Sequence, residues 1–310
     1  MHFSSRLPAI LLPVPLMAAF LMSTIDMRAA GKAYSDVEFS RPGGYSLKLD
    51  AHVPEGDGPF PAIVIVHGGA WVTGDRRRSV EPLFEPLSDA GFAWFSISYR
   101  LANIADPKSN PTIAASMAVL GGAIDDVRSA IAFVRANASD YNVDPQRIAV
   151  IGESAGAQLA AMAALKPGRN GGVPSGVQAV VAFYCPSDLV TLVQTMPMIP
   201  DSIRNAVKGT PFEQILLSYL REMSPIRWVR EDAPPFLLIH GTADPVVPFQ
   251  QSVDLCEAMQ KAGSTCELYS VKGAGHGLRW WESDKGMTAY KNRMISWLAQ
   301  ELKPPKADHH

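Results

Sequence analysis

Ile148-Ala149-Val150-Ile151-Gly152-Glu153-Ser154-Ala155-Gly156, running into Ala157-Gln158-Leu159-Ala160-Ala161-Met162-Ala163-Ala164, decides the fold. An apolar run short enough for a buried strand meets a small-residue stretch that reads as a helix, with G-x-S-x-G at the junction. A serine there sits on a sharp strand-to-helix turn. Glycines on both sides remove side chains that would clash across the turn, and the hydroxyl is left exposed at the helix N-terminus.

Working outward, Ala62 to Val66, Ala93 to Ile97, Val177 to Phe183, Phe236 to Ile239 and Cys266 to Val271 are further apolar runs of the kind buried on both faces. Helical patterns alternate with them. Ile124, Val127, Ile131 and Val134 form one apolar face, and Met287, Tyr290, Met294, Trp297 and Leu298 form another, ended by Pro304 and Pro305. The predicted fold is α/β: a mostly parallel central sheet with helices on both faces. Asp36 to Val53, around Gly43-Gly44, reads as an antiparallel hairpin at the sheet edge. Residues 189–230 fit no strand and carry helical patterns near Ile203 to Val207 and Glu213 to Leu220. They are expected to form a small lid inserted over the carboxyl edge of the sheet.

The chain has 310 residues, 47% hydrophobic and 19% charged, with a net charge of −2. That suits one catalytic domain over residues 34–310 and argues against a nucleic-acid partner. Arg6, the uncharged run Leu7 to Met22, and the small residues Ala29, Ala30, Gly31 and Ala33 read as a secretory signal over residues 1–33. The run is 16 residues and contains Pro8, Pro13 and Pro15, so no stable membrane span is expected. Export is expected, a retained N-terminal anchor being the alternative. Cys185, Cys256 and Cys266 lack zinc spacing, so no metal is implied. Cys256 and Cys266 either bridge across the turn at Gly263 or stay separate buried thiols. His309 and His310 at the chain end receive no function.

A serine hydroxyl needs a base to take its proton as it attacks. His276, in Gly273-Ala274-Gly275-His276-Gly277, follows the strand ending near Val271 on a loop able to reach across the sheet. The acid behind it is expected at Asp244, just past the strand Phe236 to Ile239, with Asp188 as the rival. Backbone donors for an oxyanion are expected from Gly68 and Gly69 in His67-Gly68-Gly69-Ala70-Trp71, and from Ala155 at the helix start. His67 anchors that loop, and Trp71 either packs beneath it or walls a pocket. Glu153, Cys185 and Trp280 are the other pocket candidates. Trp280-Trp281 either offers an aromatic platform or packs the last helix, and Met196, Met198 and Ile199 are candidates for an adaptable apolar wall.

Together these residues resemble the α/β-hydrolase esterases, and more narrowly the acetyl xylan and feruloyl esterase-like branch called bifunctional deacetylase/feruloyl esterase proteins. The likeness covers almost the whole body. It is carried by Leu47-Lys48-Leu49-Asp50 before Pro54, His67 to Trp71 with Gly74-Asp75-Arg76, Tyr99-Arg100-Leu101, and Asp144-Pro145 leading into Gly152 to Gly156. Ser224-Pro225, Pro234-Pro235, His240 to Asp244 and Gly275-His276 complete it. The order Ser154, Asp244, His276 is that of α/β-hydrolases. The resemblance implies a carboxylic ester hydrolase working through an acyl-enzyme without a cofactor, on short-chain or aromatic acyl esters, with acetylated or feruloylated carbohydrate as a candidate substrate. Two departures bear on the pocket: Glu153 fills the variable position of the turn, and Cys185 stands where relatives often have glycine. Hormone-sensitive-lipase-like esterases share the His-Gly-Gly motif but usually carry an N-terminal helical cap, for which the early edge hairpin is expected to leave no room. The alternatives are a serine peptidase of the prolyl-oligopeptidase type, usually preceded by a propeller, and a non-catalytic binding protein on a hydrolase scaffold, which typically has lost one of the three residues.

Overall fold

A computed structural model describes residues 31–102, 113–168, 175–195, 205 and 208–304. The greater part of the expected leader, the helical pattern at 203–207 except residue 205, Met196, Met198, Ile199, Pro305 and the terminal histidines lie outside the described residues. Among the described residues eight strands form one sheet in the order β1-β2-β4-β3-β5-β6-β7-β8. They are β1 Gly31–Ser40, β2 Leu47–Pro54, β3 Phe60–Val66, β4 Ala93–Ile97, β5 Val143–Glu153, β6 Ala179–Phe183, β7 Phe236–Gly241 and β8 Cys266–Val271. The β1–β2 and β2–β4 pairs are antiparallel, and every pair from β4 through β3 to β8 is parallel. This is the α/β-hydrolase fold.

The apolar runs fill two cores by the two-residue period of a strand. Ala62, Val64, Val66, Ile148, Val150, Val180, Ala182 and Leu238 face one layer, where they meet α2 (Ile113–Ala136) through Ile124, Val127, Ile131 and Val134. Helices α3 (Ala155–Leu165) and α6 (Gln250–Lys261) close that layer through residues such as Leu159, Leu255 and Met259. Ile63, Ile65, Ala149, Ile151, Val181, Leu237 and Ile239 point the other way, against Leu87 of α1 (Phe84–Asp89), Trp281 of α7 (Leu278–Glu282), and Tyr290, Met294, Trp297 and Leu298 of α8 (Tyr290–Glu301).

Two boundaries differ from expectation. Among the described residues strand β1 already runs from Gly31, ahead of Asp36: Gly31, Lys32, Ala33 and Tyr34 pair with Pro54, Val53, His52 and Ala51. Strand β5 starts at Val143, ahead of Pro145, because Val143 pairs with Phe60 across a register shift before Ile148 pairs with Ala62. A proline is tolerated at such an irregularity.

Within 189–230 the structure has α4 (Leu189–Thr195), α5 (Pro211–Glu222) and a 3₁₀ turn at Pro225–Trp228. Gln158 Nε2 of α3 ties this region to the body by donating to Met223 O at 2.7 Å. Cys256 and Cys266 are joined as a disulfide between α6 and β8. Among the described residues no helix is long and apolar enough to cross a membrane, and no group of His, Cys, Asp and Glu could hold a metal ion.

Candidate active site

Ser154 stands at the turn from β5 into α3 with φ 53 and ψ −120. A residue with a Cβ is held in that region only where its surroundings fix it. Here the fixing is done by contact. A Cβ on Gly152 would lie 2.3 Å from Gly156 O, and one on Gly156 would lie 2.2 Å from Val66 O. Helix α3 therefore rests directly on the strand ends, and both flanking positions accept only glycine. Ser154 N–H donates to Phe183 O at 3.0 Å, which pins the turn to β6.

Asp244 follows β7 and His276 follows β8, so both loops leave the same carboxyl edge of the sheet as Ser154. His276 Nε2 is 3.0 Å from Ser154 Oγ, and His276 Nδ1 is 2.7 Å from Asp244 Oδ2. Asp244 accepts from an Nδ1–H, leaving Nε2 free to accept the serine proton. Asp244 is itself over-determined: Oδ1 accepts Val246 N–H at 2.8 Å and Val247 N–H at 2.9 Å, and His240 Nε2 lies 3.5 Å from Oδ2. Burial raises the Asp244 carboxyl, but hydrogen bonds from His240 and His276 outweigh it and hold the group well below the usual carboxylate range. Its contribution to stability is thus fully present above that range and is lost as pH falls from there through the depressed folded value.

Asp188 is placed elsewhere. Its Oδ1 accepts the N–H groups of Val190 and Thr191 at the start of α4, the ordinary work of a cap.

The loop after β3 corrects one expected donor. Gly68 N–H is occupied by Glu153 Oε1 at 2.9 Å, so it is not available to an oxyanion. Gly69 and Ala70 line the cleft beside Ser154, and their N–H groups donate to no described acceptor. Ala155, as the first residue of α3, has no intrahelical acceptor for its own N–H. The free donors are therefore Gly69, Ala70 and Ala155. Ala70 and Trp71 hold φ of 51 and 62, the backbone cost of shaping this loop. Arg76 and Arg77 bind Asp36 and Asp50, tying the far end of the loop to the edge hairpin.

His67 anchors the loop, as expected of it. Its Nδ1–H donates to Gly68 O at 2.7 Å, its ring stacks on Tyr99 at 4.4 Å, and Tyr99 Oη donates to His67 O. Burial pushes the imidazole down from 6.5 to about 4. The unfolded chain therefore binds a proton below pH 6.5 that the folded one refuses until about 4, and stability is lost as pH falls across that window. We expect this group alone to cost about 3 kcal/mol between those limits. Urea titrations at pH 7 and 4.5 check this: His67→Asn should flatten the pH dependence, and an unchanged slope would contradict it.

Of the pocket candidates, Glu153 and Trp280 line the cleft and two do not. Trp71 turns its Nε1–H to Gln158 Oε1 at 3.0 Å and packs beneath the loop. Cys185 is wholly buried in the core. Trp280 and Trp281 part company: Trp281 is buried with its indole N–H on Gly275 O, whereas Trp280 is 75% exposed at the rim. The cleft, about 420 Å³, is also lined by Thr73, Ser79, Val246, Leu278 and Arg279. Sequence reading missed His240 and Tyr184. Nε2–H of His240 donates to Val247 O at 3.0 Å and its Nδ1 accepts from Ser252 Oγ at 2.7 Å, while Tyr184 packs its ring 4.4 Å from His276. Neither carried a local signal beyond its place at a strand end.

Sheet order, glycine-bounded turn and the meeting of Ser154, His276 and Asp244 at one sheet edge define the α/β-hydrolase class. The BD-FAE family model matches residues 49–259, most of the chain, and the chain belongs to that family. A model described as TAP-like protein matches residues 221–306. Among curated relatives, the probable carboxylic ester hydrolase LipM of Mycobacterium tuberculosis is 32% identical over 69% of this chain and 48% of its own length. Esterase LipQ of the same organism is 31% identical over 78% of this chain and 56% of its own. The chain thus spans about half the length of the curated relatives it matches. Among solved structures, a truncated carbohydrate esterase from gut microbiota superposes with TM-score 0.68 at 28% identity, covering 89% of this chain and 98% of that one. Thermogutta terrifontis esterase 2 phosphorylated by paraoxon superposes with TM-score 0.66 at 25% identity, covering 90% and 97%.

Proposed function

We propose that the chain is a carboxylic ester hydrolase in which Ser154 is the nucleophile, His276 the base and Asp244 the acid that orients it. The observation that carries this is the continuous relay from Ser154 Oγ to His276 Nε2 at 3.0 Å and from His276 Nδ1 to Asp244 Oδ2 at 2.7 Å. Ser154 Oγ attacks the ester carbonyl as His276 takes its proton. The oxyanion that forms is met by the N–H groups of Gly69, Ala70 and Ala155. His276 returns the proton to the departing alcohol, then activates a water that attacks the acyl-enzyme, releasing the acid and restoring Ser154. Every proton is handled by His276, so the cycle calls for no cofactor. Relatives named as esterases support the same reading.

The substrate class we propose is a short-chain or aromatic acyl ester, with acylated carbohydrate included. A cleft of about 420 Å³ suits a small ester, and exposed Trp280 offers its face to a phenolic or sugar ring at the rim. A panel of p-nitrophenyl acetate, butyrate, decanoate and methyl ferulate tests it. Acetate, butyrate and ferulate esters should turn over and decanoate should lag. Trp280→Ala should raise KM for methyl ferulate about three- to tenfold while acetate stays within about twofold. Equal KM values for ferulate would remove Trp280 from recognition, and cleavage of a peptide anilide in preference to every ester would overturn the substrate class.

A further inference from the structure

Glu153 is the side chain at the variable position of the turn, and among the described residues it is nearly buried and pairs with no arginine. It is 6% exposed, and each of its oxygens accepts one hydrogen bond. Oε1 takes Gly68 N–H at 2.9 Å, from the loop that supplies the free donors. Oε2 takes the Tyr184 hydroxyl proton at 2.6 Å, and the same Tyr184 oxygen accepts Leu278 N–H at 3.1 Å, two residues past His276. Tyr184 is fully buried, and its ring lies against that of His276. Burial and the nearby Glu153 carboxylate push the Tyr184 phenol well above its ordinary range, so it stays a donor. The fit at Gly68 is equally close, since a Cβ there would fall 2.7 Å from Glu153 Oε1. Gly68 is thus required for close approach to Glu153 rather than for donation to substrate.

A negative charge beside a developing oxyanion opposes it by Coulomb's law, so electrostatic stabilisation is no reason for a carboxyl group here. Geometry is. A carboxyl offers two acceptor oxygens on one rigid plane, one for Gly68 N–H and one for Tyr184 O–H, whereas an amide of the same length has a donor NH₂ in place of the second acceptor. Accepting the proposed function, we propose that Glu153 is a positioning residue. Through Gly68 on one side and through Tyr184 and Leu278 on the other, it holds the donor loop and the His276 loop in register with Ser154.

Glu153→Gln keeps one acceptor, which serves Gly68, but leaves the Tyr184 proton without its partner. Tyr184→Phe removes the same arm from the other end, and Glu153→Ala removes both. The test measures kcat and KM with p-nitrophenyl acetate per active site, counted by organophosphate titration so that unfolded chains are excluded, together with inhibition by phenylboronic acid, whose serine adduct is tetrahedral. Misalignment by fractions of an ångström weakens the transition state more than the ground state. The expected loss is about 10- to 100-fold in kcat for Glu153→Gln with KM within about twofold, and a parallel loss of boronate affinity. The double variant Glu153→Gln/Tyr184→Phe should lose little beyond Glu153→Gln alone, because both changes cut one connection. Native kcat per titrated site in Glu153→Gln, a loss confined to KM with boronate affinity intact, or multiplicative losses in the double variant would each overturn the proposal. An unmutated chain that hydrolyses no ester would defeat the proposed function instead, so the two failures are told apart.

Discussion

Ser154→Ala is expected to leave a folded chain whose turnover of p-nitrophenyl acetate falls by about 10⁴-fold or more, with a residue of background rate from the free backbone donors. Only Oγ is removed, and the turn is held by other contacts: Ser154 N–H on Phe183 O, and the closeness of Gly152 and Gly156 to neighbouring backbone. The melting temperature should therefore move little. With alanine the cleft keeps its shape and its N–H groups but has no atom to form the acyl-enzyme. A variant retaining more than about one per cent of turnover would take Ser154 out of the mechanism, since among the described residues no other hydroxyl is bonded to His276 Nε2.

Asp244→Asn should lower kcat by about 10³- to 10⁴-fold, while Asp188→Asn should stay within about twofold. The reason lies in a single hydrogen. Asp244 Oδ2 accepts from His276 Nδ1, so the proton sits on Nδ1 and Nε2 is free for Ser154. An asparagine amide turned to offer its NH₂ forces the opposite tautomer, and Nε2 then carries a proton where it must receive one. Val246 and Val247 N–H groups would keep the asparagine carbonyl on their side, which favours that wrong orientation. Asp188 does its work at the α4 cap, and losing charge there costs about 1 kcal/mol or less of local stability. Activity lost in Asp188→Asn and kept in Asp244→Asn would reverse the assignment.

The centre of the sheet was legible because its strands are buried on both faces. Runs such as Ala62 to Val66 and Ala179 to Phe183 need no alternation, and turn residues bound them, whereas Cys266 to Val271, expected to be covered on both faces, is the half-exposed far edge of the sheet. The edges were less so. Nothing in Gly31-Lys32-Ala33 reads as strand; these residues pair because β2 offers them a free edge. The candidates Ser154, Asp244 and His276 could be named from chain order and strand ends, since the relay proposed for them needs all three at one edge, where the structure brings them together. Glu153 could not be placed in its role, because its partners Gly68 and Tyr184 lie 85 and 31 residues away and meet it only once β3, β5 and β6 are paired. The same holds for Gly68, whose pairing with Gly69 suggested two donors where the fold leaves one to Glu153. His240 was hidden for a different reason: a buried histidine at a strand end resembles ordinary core until Asp244 is seen beside it.

The most direct measurement is mass spectrometry of the protein after brief treatment with diethyl p-nitrophenyl phosphate. An activated serine displaces p-nitrophenolate and keeps the diethyl phosphoryl group, whereas an ordinary surface serine does not react. One phosphoryl group per chain on the peptide carrying Ser154, absent in Ser154→Ala and strongly slowed in His276→Gln, is the predicted result. An unmodified Ser154 in a protein that still hydrolyses p-nitrophenyl acetate, or modification at a different residue in step with inactivation, would contradict it.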